Sequence, residues 1–296
     1  MNNFRFTANR SSTAALREKL SQPGLTTGIG IYDAFSALMV ESAGAELLFL
    51  GGFGATASLM GLPDLSLISA REMTDAIRRI TNVVRIPLIA DGDTGFGGPA
   101  NVMQTVQQYE SAGAAGILLE DQVFPKRCGH FQDKAVIPAT EMLEKLHIAN
   151  KAKQNPDFLI IARTDALAVE SFEDVCRRVR QYADTGVDMI FVEALETEEQ
   201  IRALPHEVDA HLMINMLWGG RTPILSGPEL EKLGYKLMAI PIATLLAVGG
   251  ALKNLMSDIQ RNGKITETAD QLISFDEIKQ TLKLDAILQS IRHDTP

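Results

Sequence analysis

Five apolar runs in this sequence each lead into a residue that can do chemistry. A run ending at Ala90 enters Asp91-Gly92-Asp93, and the next enters Glu120-Asp121. The following three enter Arg163-Thr164-Asp165, Glu193 and Asn215. Asp91 and Asp93 stand two apart, so on an extended segment both side chains point the same way. With Glu120 they form a cluster of hard oxygen donors. Three carboxylates in a dry pocket need a compensating cation. Oxygen ligands suit Mg²⁺ or Mn²⁺. Acids simply bonded to backbone amides are the alternative reading.

A second centre is Pro125-Lys126-Arg127-Cys128-Gly129-His130. A cysteine beside Lys126, Arg127 and His130 sits where a thiol pKa is lowered and its reactivity raised. A solvated basic loop with an incidental thiol is the alternative. Gly129 permits a sharp bend there. The other cysteine, Cys176, lies in an apolar-periodic segment with Val175 and Val179 and is read as packing. A third stretch, Gly52-Phe53-Gly54-Ala55-Thr56-Ala57, matches G-x-G-x-x-A after an apolar run. A dinucleotide site also wants an acid ending a second strand ~20 residues on. Here that position falls in 68–75, which reads as loop and helix start. The glycines are therefore read as letting backbone N–H groups approach a substrate carboxylate.

These residues need a scaffold that gathers them. Eight short apolar runs, at 28–32, 46–50, 86–90, 116–119, 158–162, 189–192, 211–215 and 236–240, read as strands buried on both faces. Amphipathic segments alternate with them at 34–42, 71–81, 99–111, 139–152, 172–183, 197–203 and 228–233. Gly44, Gly113 and Gly186 each sign a helix exit. The pattern predicts an α/β fold, a (β/α)₈ TIM-type barrel over residues 1–250, with the polar strand ends sharing one face. An open doubly wound sheet is the runner-up. Residues 251–296 are assigned to a C-terminal helical extension, with helices expected over 244–261 and 275–291. Its expected role is subunit contact or a lid, the plainer alternative being a terminal cap.

Composition excludes several function classes. The 296 residues are 46% hydrophobic and 22% charged, unlike a disordered chain. A net charge of −9, from 28 basic and 37 acidic residues, argues against nucleic-acid and anionic-membrane partners. A local cationic cluster still allows an anionic substrate. No apolar run approaches the ~20 residues of a membrane span, and the first twenty residues lack a secretory stretch. Arg5, Arg10 and Arg17 with Ser11-Ser12-Thr13 have some transit-peptide character, but a capped helix over 12–20 is the preferred reading. Two distant cysteines make no disulfide framework, so a reduced, cytoplasmic setting is expected.

The segments GLPDLSLIS, DGDTGFGG, LLEDQVFPKRCGH, IARTDA, FVEA and NMLWGGRTP together resemble the isocitrate lyase and phosphoenolpyruvate mutase superfamily. The likeness runs from about residue 30 to 250. The K-R-C-G-H loop resembles the lyase branch, the 2-methylisocitrate and 2,3-dimethylmalate lyases. Carboxyvinyl-carboxyphosphonate phosphonomutases share that loop.

The resemblance implies a Mg²⁺-dependent barrel and a homotetramer with a C-terminal helix swapped between subunits. It implies that Asp91, Asp93 and Glu120 surround the metal, with Asp64 near it. Arg163, Glu193 and Asn215 would hold substrate, and Cys128 would be the acid/base on a gating loop. Candidate catalytic residues are thus Cys128, Lys126, Arg127, His130 and Arg163. Gly51, Gly52, Phe53, Asp64, Glu193, Asn215, Trp218 and Thr222 are candidate substrate contacts.

Three positions depart from the pattern: Trp218 where many relatives carry Glu, Gly51 where methylisocitrate lyases carry Ser, and Phe49 where those carry Tyr. Trp218 narrows the pocket and removes a charge. The expected reaction is reversible cleavage of a 2-hydroxy di- or tricarboxylate to a 2-oxo acid and a saturated acid, with Lys126, Arg127, His130 and Arg163 receiving the polyanion. Oxaloacetate hydrolysis or phosphonomutase chemistry on the same site, a dinucleotide-dependent oxidoreductase, and a non-catalytic barrel are the alternatives.

Overall fold

The structure is a computed structural model and describes residues 11–127, 129 and 134–292. Eight parallel strands close into a barrel in simple sequential order. They are β1 (Thr26–Ile31), β2 (Leu48–Leu50), β3 (Leu88–Asp91), β4 (Gly116–Glu120), β5 (Leu159–Thr164), β6 (Met189–Val192), β7 (Leu212–Asn215) and β8 (Leu237–Ile240). Closure comes from β8 pairing with β1, Thr26 opposite Leu237 through Ile29 opposite Ile240. The sheet is therefore not the open doubly wound alternative.

Helices alternate with the strands: α1 (Ser11–Ser21), α2 (Ala34–Ser42), α3 (Gly52–Met60), α4 (Ala70–Thr81), α5 (Pro99–Ser111), α6 (Ala139–Ala152), α7 (Phe172–Ala183), α8 (Glu198–Glu207) and α9 (Gly227–Leu233). Their starts follow local chemistry. Ser69 caps α4 and takes part in a capping box with Glu72, and Thr197 does the same for α8 with Gln200. The helix α3 was not expected from the sequence.

Side chains alternate across each strand, and the core divides accordingly. Leu88 and Ala90 of β3, and Ile160 and Ala162 of β5, pack outward against the helices. Ile89, Leu118, Leu159, Ile161, Met189, Phe191 and Met213 fill the barrel interior, together with Leu16 and Leu20 of α1. The first helix thereby plugs the N-terminal end of the barrel. Continuing the inward parity by two residues reaches Asp91, Glu120, Arg163, Glu193 and Asn215. The C-terminal mouth thus receives these five of the strand-end residues singled out above.

Beyond β8 the chain forms α10 (Ala243–Asn262), α11 (Phe275–Thr281) and α12 (Leu284–Arg292). The division drawn at 250/251 falls inside α10. One helix was expected over 275–291; two are found, with Lys283 at φ 58° between them. That left-handed turn breaks the helical path. Among the described residues no helix is long and apolar enough to cross a membrane.

Candidate active site

The mouth of the barrel opens on a cavity of about 240 Å³. Asp64, Asp91, Arg163, Glu193 and Asn215 line its polar side. Phe49, Phe53, Phe191, Leu217, Trp218 and Ile242 line its apolar side, with Gly51, Gly52 and Gly129 also on the wall. Trp218 is 80% exposed, so it stands on the rim rather than in the floor. Thr222 is buried but does not line this cavity.

Arg163 is the hub. Its Nε and Nη2 donate to both oxygens of Asp165 at 2.8 and 3.1 Å. Nη1 lies 3.3 Å from Glu120, and Nη2 also lies 3.3 Å from Glu193. The guanidinium also lies over Phe191, 5.7 Å from the ring centroid. This planar fork suits arginine rather than lysine. Burial works against the charge, but Asp165, Glu120 and Glu193 outweigh it and raise the Arg163 pKa well above its ordinary value. Asp165 responds in the opposite direction. Burial opposes ionisation, yet Arg163 and Lys134 hold its carboxyl down at about 2.

The acid cluster is arranged around Lys126. Its ammonium donates to Asp64 at 2.7 and 2.8 Å and lies 2.9 Å from Asp93 Oδ1. Asp91 accepts from the Gly52 and Asp93 amides at 3.2 and 3.0 Å. The Gly52 amide is therefore committed to Asp91 rather than offered to a substrate. Nor is the segment extended beyond Asp91, as the two-residue spacing had suggested. Asp93 has φ 47°, and the turn brings it back over Asp91. Gly92 makes that turn possible, because a Cβ there would fall 2.6 Å from Ile117 Cδ1 and 2.9 Å from the Leu118 carbonyl. Lys126 and Arg163 are thus both engaged by the protein's own carboxylates, in place of the free polyanion receptors expected from sequence.

The cluster still carries unmet acceptor capacity. Among the described residues Asp93 Oδ1, both oxygens of Glu120 and Asn215 Oδ1 are buried without a hydrogen-bond partner. The Asp93 contact to Lys126 is an ion pair lacking hydrogen-bond geometry. Burial pushes the Asp93 carboxyl up to about 7 against the pull of Lys126, with Asp91 and Asp64 adding to the rise. Burial likewise raises Glu120 well above the carboxylate range, although Arg163 opposes it. Among the described residues no three His, Cys, Asp or Glu side chains converge as ready metal ligands. A hard cation that keeps part of its water shell does not require such convergence. The orphaned Asp93 and Glu120 oxygens fit one.

Behind these residues lies a buried network the sequence did not reveal. Asp121 accepts from the Thr164 and Tyr182 hydroxyls at 2.6 and 2.8 Å and from the Asp165 amide at 2.9 Å. Arg178 donates to Tyr182 and to the Ile137 carbonyl. Gln122 clamps the start of the following loop, donating to the Arg127 carbonyl at 2.8 Å and accepting from its amide at 3.0 Å. Cys128 and His130 lie outside the described residues. Cys176 is in the core, and burial pushes its thiol pKa up.

The chain matches the phosphoenolpyruvate phosphomutase family model over residues 16–260. It is 35% identical to 2,3-dimethylmalate lyase of Eubacterium barkeri over 96% of this chain and 98% of that one. It is 40% identical to 2-methylisocitrate lyase of Aeropyrum pernix over 87% and 82% of the two chains. In three dimensions it overlays oxaloacetate acetylhydrolase, solved with 3,3-difluorooxalacetate, with a TM-score of 0.91 at 31% identity, covering 98% and 99% of the two chains. The chain belongs to the isocitrate lyase and phosphoenolpyruvate mutase superfamily and is an enzyme that cleaves carbon–carbon bonds.

Proposed function

We propose that the substrate is a 2-hydroxy di- or tricarboxylate of the 2-methylisocitrate or 2,3-dimethylmalate kind, cleaved to a 2-oxo acid and a saturated carboxylic acid. The carrying observation is the set of buried Asp93 and Glu120 oxygens that lack a hydrogen-bond partner, beside the Arg163 hub at the barrel mouth. Bound Mg²⁺ or Mn²⁺, held by Asp91, Asp93 and Glu120, would supply Lewis-acid polarisation of the substrate oxygens.

The chain's own residues do the rest. Arg163 faces the carboxylate or enolate charge that develops on cleavage, in a site already preorganised by Asp165. Asn215 Oδ1, buried without a hydrogen-bond partner, accepts from the substrate hydroxyl in this reading. Glu193 keeps the Arg163 and Asn215 side chains in register. Phe49, Phe191 and Leu217 take the carbon skeleton and exclude water. Cys128, in the loop after β4, delivers a proton to the departing carbon.

A homotetramer in the cytoplasm is part of the same reading. It is supported by apolar side chains exposed along α10 and the tail, among them Leu252 at 56%, Phe275 at 78% and Ile291 at 62%.

The test is a screen of 2-hydroxy acids with Mg²⁺, including methylisocitrate and dimethylmalate, scored by released 2-oxo acid, and of oxaloacetate, scored by released oxalate and acetate. Release from a 2-hydroxy acid supports the lyase reading. Oxaloacetate hydrolysis alone supports the second reading, which the overlay with oxaloacetate acetylhydrolase favours.

A further inference from the structure

We propose that Lys134 is a positioning residue for the reaction, its ammonium tying the Gly129 carbonyl to the Asp165 carboxylate and so seating the loop after β4 on the arginine hub. As a statement about catalysis this rests on the lyase reading above.

A lysine side chain only 1% exposed must find partners for its charge. Lys134 Nζ donates to the Gly129 carbonyl at 2.5 Å and to Asp165 Oδ1 at 2.8 Å. Those partners belong to different structures. Gly129 is in the loop, whereas Asp165 immediately follows β5, where it holds Arg163 through two hydrogen bonds and is itself held by Asp121 through its backbone. Lys134 therefore connects the loop to the carboxylate that holds the hub through two hydrogen bonds.

Gly129 shows how closely the loop is seated. A Cβ built there would lie 2.5 Å from Arg163 Nη2 and 2.5 Å from Glu193 Cγ. Only bare backbone fits against those side chains. The loop's legs are held separately. Gln122 clamps Arg127, Ser66 donates to the Lys126 carbonyl at 3.1 Å, and the legs pair through Val123 to Ala135 and Ile137 to Asp121. These ties fix the base of the loop. The Lys134 bridge reaches from its second leg to Gly129 and to the hub, which is what the chemistry requires to be in register.

The test compares the full chain with Lys134→Met and Lys134→Arg by amide hydrogen exchange and by steady-state kinetics with Mg²⁺ present. In Lys134→Met, exchange across 126–134 is expected to quicken by about tenfold or more while β5 and β6 stay protected. The kcat is expected to fall by about 10²-fold with KM changed by less than about threefold, since misplacement of a seated group carries that cost. Lys134→Arg should restore part of both. Unchanged loop exchange in Lys134→Met, or equal loss of protection in β5, would overturn the proposal. So would a kcat within about twofold of wild type, an effect too small for a lost positioning contact. If the wild-type chain turns over no 2-hydroxy acid, the lyase reading fails, and the exchange experiment still decides whether Lys134 seats the loop.

Discussion

Asp165 accepts from Arg163 on both of its carboxylate oxygens, Nε at 2.8 Å and Nη2 at 3.1 Å, and so decides where the central guanidinium of the site points. A lysine at 163 has a single nitrogen and cannot serve Asp165, Glu120 and Glu193 together. Arg163→Lys should lower kcat by about 10²–10³-fold, the usual cost of losing a preorganised donor. Circular dichroism should be unchanged. Full activity in this variant would remove Arg163 from the chemistry.

Gly129→Ala tests the fit of the loop. The added methyl meets Arg163 and Glu193, whose positions are pinned by other partners. Activity should fall by about 10²-fold because a shift near 1 Å is enough to misalign a site. The midpoint of thermal unfolding should barely move, since no core residue is touched. A large fall in thermal stability with normal specific activity would be the contrary result.

Asp93→Ala addresses the metal. Removing one of the orphaned carboxylates should weaken Mg²⁺ binding, measured by isothermal titration, by about 10–100-fold, the range for ligands acting through bound water. Chelation of the wild-type protein should abolish turnover, and added Mg²⁺ should restore it. Undiminished turnover in chelator would contradict this assignment of the acids.

The tail offers a test by pH. Asp258 is buried among donors: the amides and hydroxyls of Thr266 and Thr268, and the Asn262 side chain. Burial alone would raise its pKa, but these hydrogen bonds lower it well below the ordinary value. A depressed folded pKa means that the stabilisation is complete above the unfolded value of ~3.9 and is lost as pH falls toward the folded one. The protection of residues 258–270 against hydrogen exchange, relative to the intrinsic rate at each pH, should therefore fall on acidification below about pH 4. Asp258→Asn should show the lower protection at neutral pH and little further change with acid.

The barrel was legible because each strand is an apolar run too short for a helix, and because parity carries the inward side chains to the mouth. The polar strand ends could be read for the same reason. The helix α3 was not, since Gly52 and Gly54 gave its start the composition of a phosphate loop. The engagement of Lys126 by Asp64 joins residues 62 positions apart, and that of Lys134 by Asp165 joins residues 31 apart. Spacing along the chain has no signal for such pairs, so Lys126, which read as a substrate receptor, proved to be a partner of the protein's own acids, and Lys134 was not singled out at all. The break at Lys283 was hidden because apolar periodicity continues on both sides of it.

The most direct test of carbon–carbon cleavage is turnover of 2,3-dimethylmalate in D₂O with Mg²⁺, followed by NMR. Cleavage between the hydroxyl-bearing carbon and its neighbour predicts equal amounts of pyruvate and propionate. The propionate should carry one deuterium at the carbon released by the break, and Cys128→Ser should suppress both products. No 2-oxo acid from 2,3-dimethylmalate or from any other 2-hydroxy acid in the screen, with oxaloacetate hydrolysed instead, would contradict the account.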